Sequence, residues 1–504
     1  MGGPCRSPGP GRVPGPFPFS SSAVLLGLDL GTGSVKALLL EEGGGVAGVG
    51  SSACAVRSPR PGWAESDPEE WWRAAVEACR EALRGGGGEV AALGLSGQMH
   101  GVVLAGEDGR PLRPAILWAD TRSADALGAY RRLRPSLRRA LANPPAAGMA
   151  GPTLLWLREH EPAAYAAARW ALQPKDWLRA RLTGEVCSEP SDASATLLYD
   201  LAADRWSREV VRELGLREEI LAPLLPSGVV CGWLAPGPAR HLGLPEGLPV
   251  ACGGADTACA MLGTGLLGEG EVQLTVGTGA QIVSPRARFA PDGSCRTHLY
   301  RAALPGLYYS MAAVQNAGLA LEWVREVLGV SWETFYAEAA TVPPGSGGVV
   351  FLPYVSGERT PHLDPRARGA WVGLGLGCRR GHLLRAALEG VAFALREALE
   401  ALEEAGVRAP ELRLAGGGSL GKPWRRLLAS VLGRPLLTLP GSVAPVASAR
   451  GAALLAGMAL GVYGGPEELP VPRPEGAVLP GEEAGRYEAA YRRFKEIYPR
   501  LRGL

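Results

Sequence analysis

The stretch Asp29-Leu30-Gly31-Thr32-Gly33-Ser34-Val35-Lys36 follows the apolar run 24–28 and predicts a strand that enters a tight turn. A second version, Leu274-Thr275-Val276-Gly277-Thr278-Gly279, occurs in the other half of the chain. Glycine turns of this kind expose backbone N–H groups with no Cβ in the way, as a phosphate oxygen requires. Two copies in one chain therefore predict two related halves that face one nucleotide.

Alternating strand and helix patterns around this stretch predict an α/β fold. Residues 24–40 predict a β-hairpin, and Asp67 before Pro68 is typical of a helix N-cap. Residues 90–95 predict a buried strand, and the segment 163–172 has a helical pattern. Because ligands sit where the strands of open α/β sheets end, the exit of the strand at 90–95 is an expected site.

The length of 504 residues exceeds what one hydrophobic core supports, so two domains are expected. Turn residues at 263–270 predict a boundary between an N-terminal domain, residues 23–265, and a C-terminal domain, residues 266–504. Residues 1–22 are rich in glycine, proline and serine, and we interpret them as a disordered tail or a misassigned start.

The composition argues against several classes of function. The net charge of +2 comes from Lys and Arg that are spread along the chain, which disfavours nucleic acid and anionic membranes as partners. The sequence has no apolar run of transmembrane length, and its six histidines lack zinc-binding spacing. The nine cysteines form no CxxC pair, which predicts reduced thiols in a cytoplasmic protein.

Two carboxylates stand at positions where chemistry is expected. Asp29 opens the first phosphate turn, and a carboxylate there needs a cation between it and the phosphate, which implies Mg²⁺. A turn-stabilising aspartate explains Asp29 equally well. Asp256 follows the small residues Gly253, Gly254 and Ala255 between a strand and a helix. It is a candidate general base for an alcohol, or a helix N-cap, and both readings are compatible.

Polar residues near the exit of the strand at 90–95 are candidates for sugar binding. Met99 and His100 offer an imidazole beside an apolar wall, although such a pair is common in packed cores. Trp118 and Asp120 follow a short strand-like stretch and are expected to add a second contact.

Two loops in the second half have weaker patterns. Residues 415–419, Ala-Gly-Gly-Gly-Ser, lie between a strand and a helix and suit close approach to a nucleotide. They match neither the dinucleotide fingerprint nor the Walker A loop. Residues 356–361, Ser-Gly-Glu-Arg-Thr-Pro, have the pattern of a surface turn.

Several strings in this order resemble the FGGY carbohydrate kinase family of the actin-like ATPase superfamily, over residues 24–500. They are Gly27-Leu-Asp-Leu-Gly-Thr-Gly, Gly97-Gln-Met-His-Gly-Val, Arg113-Pro-Ala-Ile-Leu-Trp-Ala-Asp-Thr-Arg, Leu172-Gln-Pro-Lys-Asp-Trp-Leu, Phe351-Leu-Pro-Tyr-Val-Ser-Gly-Glu-Arg-Thr-Pro-His and Ala387-Leu-Glu-Gly-Val-Ala-Phe. The resemblance implies two ribonuclease H-like domains with the active site in a central cleft, and ATP and Mg²⁺ as cofactors. It also implies a homodimer, since dimers are frequent in the family.

The resemblance gives each candidate residue a role. Asp256 is expected to be the catalytic base and Asp29 to help hold the metal. Met99, His100, Asp256 and Thr257 are expected to bind the sugar. The expected ATP contacts are Gly31, Thr32, Gly33, Gly277, Thr278, Gly279, Gly416, Gly417 and Gly418.

The choice of sugar is less determined than the reaction. The string Gln98-Met99-His100-Gly101 is similar to family members that phosphorylate D-xylulose to D-xylulose 5-phosphate, rather than glycerol or gluconate. Those members usually read Gly-Gly-Gly-Asp-Asn-Ala where this chain reads Gly-Gly-Ala-Asp-Thr-Ala, so Thr257 replaces an asparagine. Another ketose such as ribulose, or a polyol, therefore stays an alternative. An actin-like ATPase without a sugar substrate and a catalytically inactive sugar-binding regulator are more remote ones.

Overall fold

The structure, a computed structural model, describes residues 22–416 and 421–503. In the first half the strands are β1 Ala23–Leu30, β2 Ser34–Glu41, β3 Val46–Ala53, β4 Glu65–Ser66, β5 Glu89–Gly97, β6 Val103–Ala105, β7 Ala115–Ile116, β8 Trp170–Leu172, β9 Tyr199–Asp200, β10 Arg205–Trp206, β11 Val230–Trp233, β12 Pro249–Ala251 and β13 Gly254–Ala255. The helices are α1 Pro68–Gly85, α2 Leu127–Arg132, α3 Pro135–Leu141, α4 Ala150–His160, α5 Pro162–Ala167, α6 Pro174–Thr183, α7 Pro190–Ala193, α8 Arg208–Glu213, α9 Pro236–Leu242 and α10 Asp256–Thr264.

In the second half the strands are β14 Gln273–Val276, β15 Ala280–Arg286, β16 His298–Arg301, β17 Tyr308–Val314, β18 Val350–Leu352, β19 Ala370–Val372, β20 Leu412–Ala415, β21 Leu436–Thr438 and β22 Gly476–Val478. The helices are α11 Gly318–Val327, α12 Trp332–Ala340, α13 Arg380–Glu404, α14 Lys422–Leu432, α15 Ala447–Leu460 and α16 Tyr487–Leu501.

Each half is built on one mixed sheet, and the two sheets share an order. The first runs β11-β12-β5-β1-β2-β3, with β1, β2 and β3 antiparallel and β5 parallel to β1. The second runs β16-β17-β15-β14-β20-β21-β22, with β14, β15 and β17 antiparallel and β20 parallel to β14. Three antiparallel strands followed by parallel ones form the ribonuclease H-like core, so the expected α/β fold with two such units is confirmed.

Most local predictions hold, with one correction. The predicted hairpin is β1 and β2, and the carboxylate of Asp67 caps α1 by accepting the N–H of Glu69 at 3.0 Å. The segment 163–172 is not one helix. It ends as strand β8, because Trp170–Leu172 pairs with Val103–Ala105. The tertiary partner overrides the local helical pattern there.

Helix α15 belongs to the second half of the chain but packs on the first sheet. A Cβ at Gly27 of β1 would lie 1.8 Å from the carbonyl oxygen of Ala449, and a Cβ at Gly94 of β5 would lie 1.9 Å from that of Ala452. On its other side α15 meets α10 just as closely, because a Cβ at Gly451 would lie 1.8 Å from the carbonyl oxygen of Cys259. The domain boundary at 265 and 266 stays a prediction.

Two expectations from composition concern the whole chain. The structure describes eight cysteines, all as free thiols, in agreement with the spacing argument. Within residues 22–416 and 421–503, every helix is too short or too polar to cross a bilayer.

Candidate active site

The two predicted phosphate turns meet across a cleft. The turn between β1 and β2 and the turn between β14 and β15 border one cavity of about 270 Å³. Its lining comes from both halves of the chain: Thr32, Met99, His100, Trp118, Asp256, Thr275, Gly277, Gly279, Ala280, Gln281, Met311, Ala313, Val314, Gln315 and Arg359. The structure therefore places the first turn, the second turn, the Met-His pair and Asp256 around a single space.

The glycines of the turns leave room for a ligand. A Cβ at Gly33 would meet nothing within 4 Å, and one at Gly277 would come no closer than 3.7 Å to another atom. Neither residue has a positive φ, so the fold itself does not require glycine at these positions. Gly279 differs, because its Cβ would lie 2.8 Å from the carbonyl oxygen of Val314. The open space at Gly33 and Gly277 is compatible with close approach of a ligand to the backbone, and their contact with ATP stays a prediction.

The first turn is held by side chains from neighbouring elements. Trp118 donates its indole N–H to the Thr32 hydroxyl at 2.9 Å, and that hydroxyl lies 3.2 Å from the Gln98 side-chain oxygen. Gln98 also donates to the carbonyl of Gly31 at 3.3 Å. The predicted turn residue Thr32 is thus tied to the strand exit that carries the Met-His pair.

Asp29 stands at the end of β1 and is partly exposed. Its carboxylate accepts a hydrogen bond from the Ser96 hydroxyl at 2.9 Å. Burial raises the pKa of Asp29, while Ser96 and the charge of Lys36 act in the opposite direction. Lys36 itself donates to the carbonyl of Pro445 at 2.7 Å rather than pairing with the carboxylate.

Asp256 is the first residue of α10, and Ala255 occupies the N-cap position. Its Oδ1 accepts the N–H of Thr257 at 2.5 Å and lies 3.1 Å from the Thr257 hydroxyl. Burial and the neighbouring charge of Asp29 raise the pKa of Asp256 to about 7, although the two Thr257 contacts lower it. A carboxylate with a pKa near neutrality is well matched to proton transfer from an alcohol.

The charge of this region fits a cation that arrives with phosphate. The charge of Asp29 raises the proton affinity of Asp256, which is the situation a divalent ion relieves. Oxygen ligands of this kind suit Mg²⁺, which commonly binds through one or two carboxylates together with substrate phosphates. Within residues 22–416 and 421–503, no cluster of three or more acidic, histidine or cysteine side chains is arranged to hold a metal by itself.

Met99 and His100 also line the cavity. His100 Nδ1 lies 2.9 Å from the carbonyl oxygen of Ala195, so this nitrogen donates and Nε2 is left as an acceptor. Burial and the charge of Arg359 lower the pKa of His100 to about 4. The imidazole is therefore neutral at pH 7 and suited to accept a hydrogen bond from a hydroxyl group.

Thr257 contacts the site through other side chains. Its hydroxyl lies 3.1 Å from Asp256 Oδ1 and 3.1 Å from the side-chain oxygen of Gln281. One hydroxyl proton serves only one of these acceptors at a time. Direct contact of Thr257 with the substrate stays a prediction.

Arg359 is a cleft residue that the sequence analysis missed. The predicted surface turn at 356–361 instead buries Glu358 and Thr360 and carries the guanidinium of Arg359 to the cleft. Arg359 Nη2 lies 3.2 Å from His298 Nε2, and its charge also acts on His100. The unusual order of charged residues in this loop was the available signal.

Asp120 does not reach the cleft. Its carboxylate accepts the backbone N–H of Ala64 at 2.6 Å and pairs with Arg122 at 2.8 Å, and both side chains are 1% exposed. Trp118 lines the cavity, and its contact with a sugar stays a prediction.

The third glycine loop starts beside the second turn. Gly416 has φ +89°, and a Cβ there would lie 2.3 Å from the carbonyl oxygen of Val276. Glycine is thus required at position 416, because φ is positive there and the backbone of β14 lies close. Gly417 and Gly418, the other predicted adenosine contacts, lie outside the described residues.

Family models match both halves of the chain. The N-terminal domain of the FGGY family of carbohydrate kinases matches residues 24–263, and its C-terminal domain matches residues 273–460. The chain belongs to the FGGY family of carbohydrate kinases. It is therefore a phosphotransferase that acts on a carbohydrate, as the resemblance implied.

Xylulose kinases and a glycerol kinase are among the relatives of this FGGY kinase. It is 35% identical to the xylulose kinase of Escherichia coli (strain K12), over 94% of this chain and 98% of the relative. It is 36% identical to the glycerol kinase of Thermus brockianus, over 95% of this chain and 98% of the relative. The crystal structure of a ligand-bound xylulose kinase from Lactobacillus acidophilus has a TM-score of 0.89 and 25% identity, covering 95% of this chain and 99% of the other.

Proposed function

We propose that this FGGY kinase transfers the γ-phosphoryl group of MgATP to D-xylulose, giving D-xylulose 5-phosphate and ADP, with Asp256 as the general base. The observation that carries the proposal is the shared cavity. Asp256 lines it together with residues of both phosphate turns and with Met99 and His100. An acceptor hydroxyl and a γ-phosphate in this space are both within reach of one carboxylate.

The reaction needs one proton transfer and one displacement at phosphorus. Asp256 takes the proton of the sugar hydroxyl as its oxygen attacks the γ-phosphorus. The bond between that phosphorus and the β,γ-bridging oxygen breaks, and ADP leaves. Positioning and charge stabilisation supply most of the rate in such transfers.

Nucleotide binding follows from the turns. Thr32 of the first turn and Gly277 and Gly279 of the second line the same cavity. We assign both turns, including Gly33 and Thr278, to the phosphates of ATP. Mg²⁺ comes with ATP as part of the substrate and reduces the negative charge on the phosphates. Asp29 and Asp256 are the carboxylates that would face it.

Met99, His100 and Arg359, which line the cavity, favour a substrate with several hydroxyl groups. The neutral His100 accepts a hydrogen bond from a sugar hydroxyl, and the nearby guanidinium of Arg359 donates to sugar oxygens. D-Xylulose is preferred because the similar proteins include several xylulose kinases. Similarity to the glycerol kinase of Thermus brockianus keeps a polyol as the second candidate. Thr257, where asparagine is usual in the xylulose-phosphorylating members that this chain resembles, also favours this alternative.

The test is a coupled ADP-release assay with MgATP and a panel of acceptors: D-xylulose, D-ribulose, L-ribulose, L-xylulose, glycerol, D-gluconate and xylitol. We expect strong stimulation by D-xylulose alone. Stimulation by another member would keep the kinase chemistry and replace the proposed substrate. Basal hydrolysis that no acceptor changes would contradict the proposal and favour an ATPase.

A substitution of Asp256 tests its assignment as the general base. Asp256→Asn is expected to lower kcat by about 10³-fold, because removing a general base costs roughly 10²–10⁴-fold, while sugar binding stays measurable by calorimetry. Asp67→Asn, which alters a carboxylate at the start of α1 away from the cleft, is the control. Near-normal turnover of Asp256→Asn would show that another group takes the proton.

A further inference from the structure

Buried side chains hold the backbone just before Asp256 by hydrogen bonds. Arg179 Nη1 donates to the carbonyl oxygen of Cys252 at 2.5 Å, at the start of this segment. At its end, the N–H of Ala255 donates to the hydroxyl of Ser191 at 2.9 Å. Residues 252–255, which we call the base loop, include the short strand β13 that pairs with β5, and side chains from α6 and α7 also fix the segment at both ends.

Glu189 organises these contacts. Its carboxylate accepts the Ser191 hydroxyl at 2.8 Å and the Ser227 hydroxyl at 2.7 Å. The carbonyl of Ser227 in turn accepts the N–H of Gly253 at 3.0 Å. One fully buried carboxylate therefore connects to the base loop by two routes.

The direction of these bonds is fixed by the donor count. A serine hydroxyl carries one proton, and Glu189 already accepts the backbone N–H groups of Ser191 and Asp192, so the Ser191 proton points to this carboxylate. The hydroxyl lone pair is then left for the N–H of Ala255. Glu189 keeps Ser191 in the one orientation that satisfies a buried backbone donor.

Charged side chains lie buried beneath the loop. Lys175 Nζ lies 2.6 Å from Asp176, 3.5 Å from Glu189 and 3.2 Å from Asp192. Arg179 pairs with Asp176 at 3.0 Å. Burial raises the pKa of Asp192. Two buried cations therefore lie among these three carboxyl groups.

The base loop needs such anchors because its own sequence supplies little rigidity. Gly253 has φ +86°, and Gly254 follows it. Glycine loses more freedom on ordering than other residues, so a loop with two glycines is held by its surroundings. Asp256 begins directly after this loop, and its carboxylate moves with it.

We propose that Ser191 and Glu189 are positioning residues for Asp256, which they set in place through the Ser191–Ala255 hydrogen bond. This inference rests on the proposed role of Asp256 as the base. The alternative is that Glu189 and Ser191 only stabilise the short helix α7, whose first N–H groups Glu189 also caps.

The experiment compares Ser191→Ala with Ser207→Ala in the full-length enzyme. Both substitutions remove a buried serine hydroxyl that accepts a backbone N–H, and Ser207 does so at the start of α8. We expect Ser191→Ala to lower kcat about tenfold with the KM for the sugar changed less than threefold. Its acid limb in the kcat–pH profile should move to lower pH, because a looser Asp256 is better solvated. Ser207→Ala should change neither.

Equal kcat and equal pH profiles for the two variants would overturn the proposal, whatever their stabilities. Should Ser191→Ala not fold, Ser191→Thr against Ser191→Cys makes the same comparison, because only threonine keeps a hydroxyl acceptor. We expect a higher kcat for Ser191→Thr, and equal values would count against the proposal. Asp256→Asn in the same assay separates the role of Asp256 as the base from its positioning by Ser191 and Glu189. Normal turnover of Asp256→Asn would refute the role of Asp256 itself.

Discussion

Asp256 shows how burial and one neighbouring charge set the pKa of a carboxylate. The carboxylate sits at a helix N-terminus, where the dipole favours the ionised form. Burial and Asp29 nevertheless raise its pKa to about 7. A base that titrates near neutrality makes both activity and stability depend on pH.

Activity should fall as the pH decreases through this pKa. The base must be ionised to accept the sugar proton, so kcat/KM is expected to drop about tenfold per pH unit below about pH 7. Steady-state rates between pH 5 and 9 check this, with the coupling enzymes in excess. A rate that stays flat down to pH 5 would contradict the raised pKa.

Stability should change in the opposite sense. The folded pKa of Asp256 is above the unfolded value of 3.8, so the folded state binds more protons between these two values and loses stability as the pH rises through them. We expect Asp256→Asn to stabilise the protein at pH 8 by roughly 1–2 kcal/mol, a fraction of the full shift because the side chain is open to the cleft. Denaturant unfolding at pH 8 and pH 4 measures it, and the gain should vanish at the lower pH.

Arg359 is expected to act on binding more than on the chemical step. Arg359→Gln should raise the KM for the sugar about tenfold, since a charge-assisted hydrogen bond is worth roughly 1.5–3 kcal/mol. It should also raise the pKa of His100, whose proton affinity the guanidinium now lowers. NMR titration of the imidazole and steady-state kinetics report the two effects. Arg366→Gln, on an exposed side chain of the same loop, is the control.

At the scale of elements, α15 connects the two halves through backbone contact. Glycines at four crossings let it approach β1, β5 and α10 more closely than any side chain would allow: Gly27, Gly94, Gly263 and Gly451. Close backbone approach is the reason for glycine in these elements, since none of the four has a positive φ. The crossings also fix α10, and with it Asp256, against the first sheet.

A methyl group at such a crossing should destabilise the fold. Gly94→Ala places a Cβ where only 1.9 Å separates it from the carbonyl oxygen of Ala452, so α15 must shift. We expect a loss of about 1–3 kcal/mol, the usual cost of overpacking a core. Gly85→Ala, whose Cβ would meet nothing within 4 Å, should be neutral or slightly stabilising. Thermal unfolding of both variants decides, and equal midpoints would contradict the crossing argument.

At the scale of the whole molecule, the first half is incomplete without the second. Leu25, Leu40 and Ala92 of the first sheet share a core with Ala449 and Leu454 of α15. The active-site cleft likewise takes its lining from both halves. Folding and catalysis therefore depend on the same interface between the halves.

A fragment of residues 22–265 is expected not to fold by itself, because the sheet face that α15 covers would be exposed to water. Near-UV circular dichroism and thermal unfolding would show no cooperative transition, whereas the full chain unfolds cooperatively. A cooperative transition in the fragment would mean that the predicted domain boundary also marks an independent folding unit.

The sequence by itself determined the elements and the reaction class. The alternation of apolar residues predicts the strands. Local patterns alone indicate functional candidates at the Gly-Thr-Gly turns, Asp29, Asp256 and the Met-His pair. These features are local, since a strand, a turn or a cap depends on residues a few positions apart. The predicted partners of the enzyme, ATP, Mg²⁺ and a homodimer mate, stay predictions.

Only the tertiary structure decided which residues act together. Trp170–Leu172 became a strand because a distant segment paired with it, and Arg359 reached the cleft because the turn that carries it folds inward. The pKa of Asp256, the neutral His100 and the support of the base loop by Glu189 and Ser191 all arise between residues far apart in the chain. Electrostatic interactions and packing depend on distance in space, which a local sequence pattern does not contain.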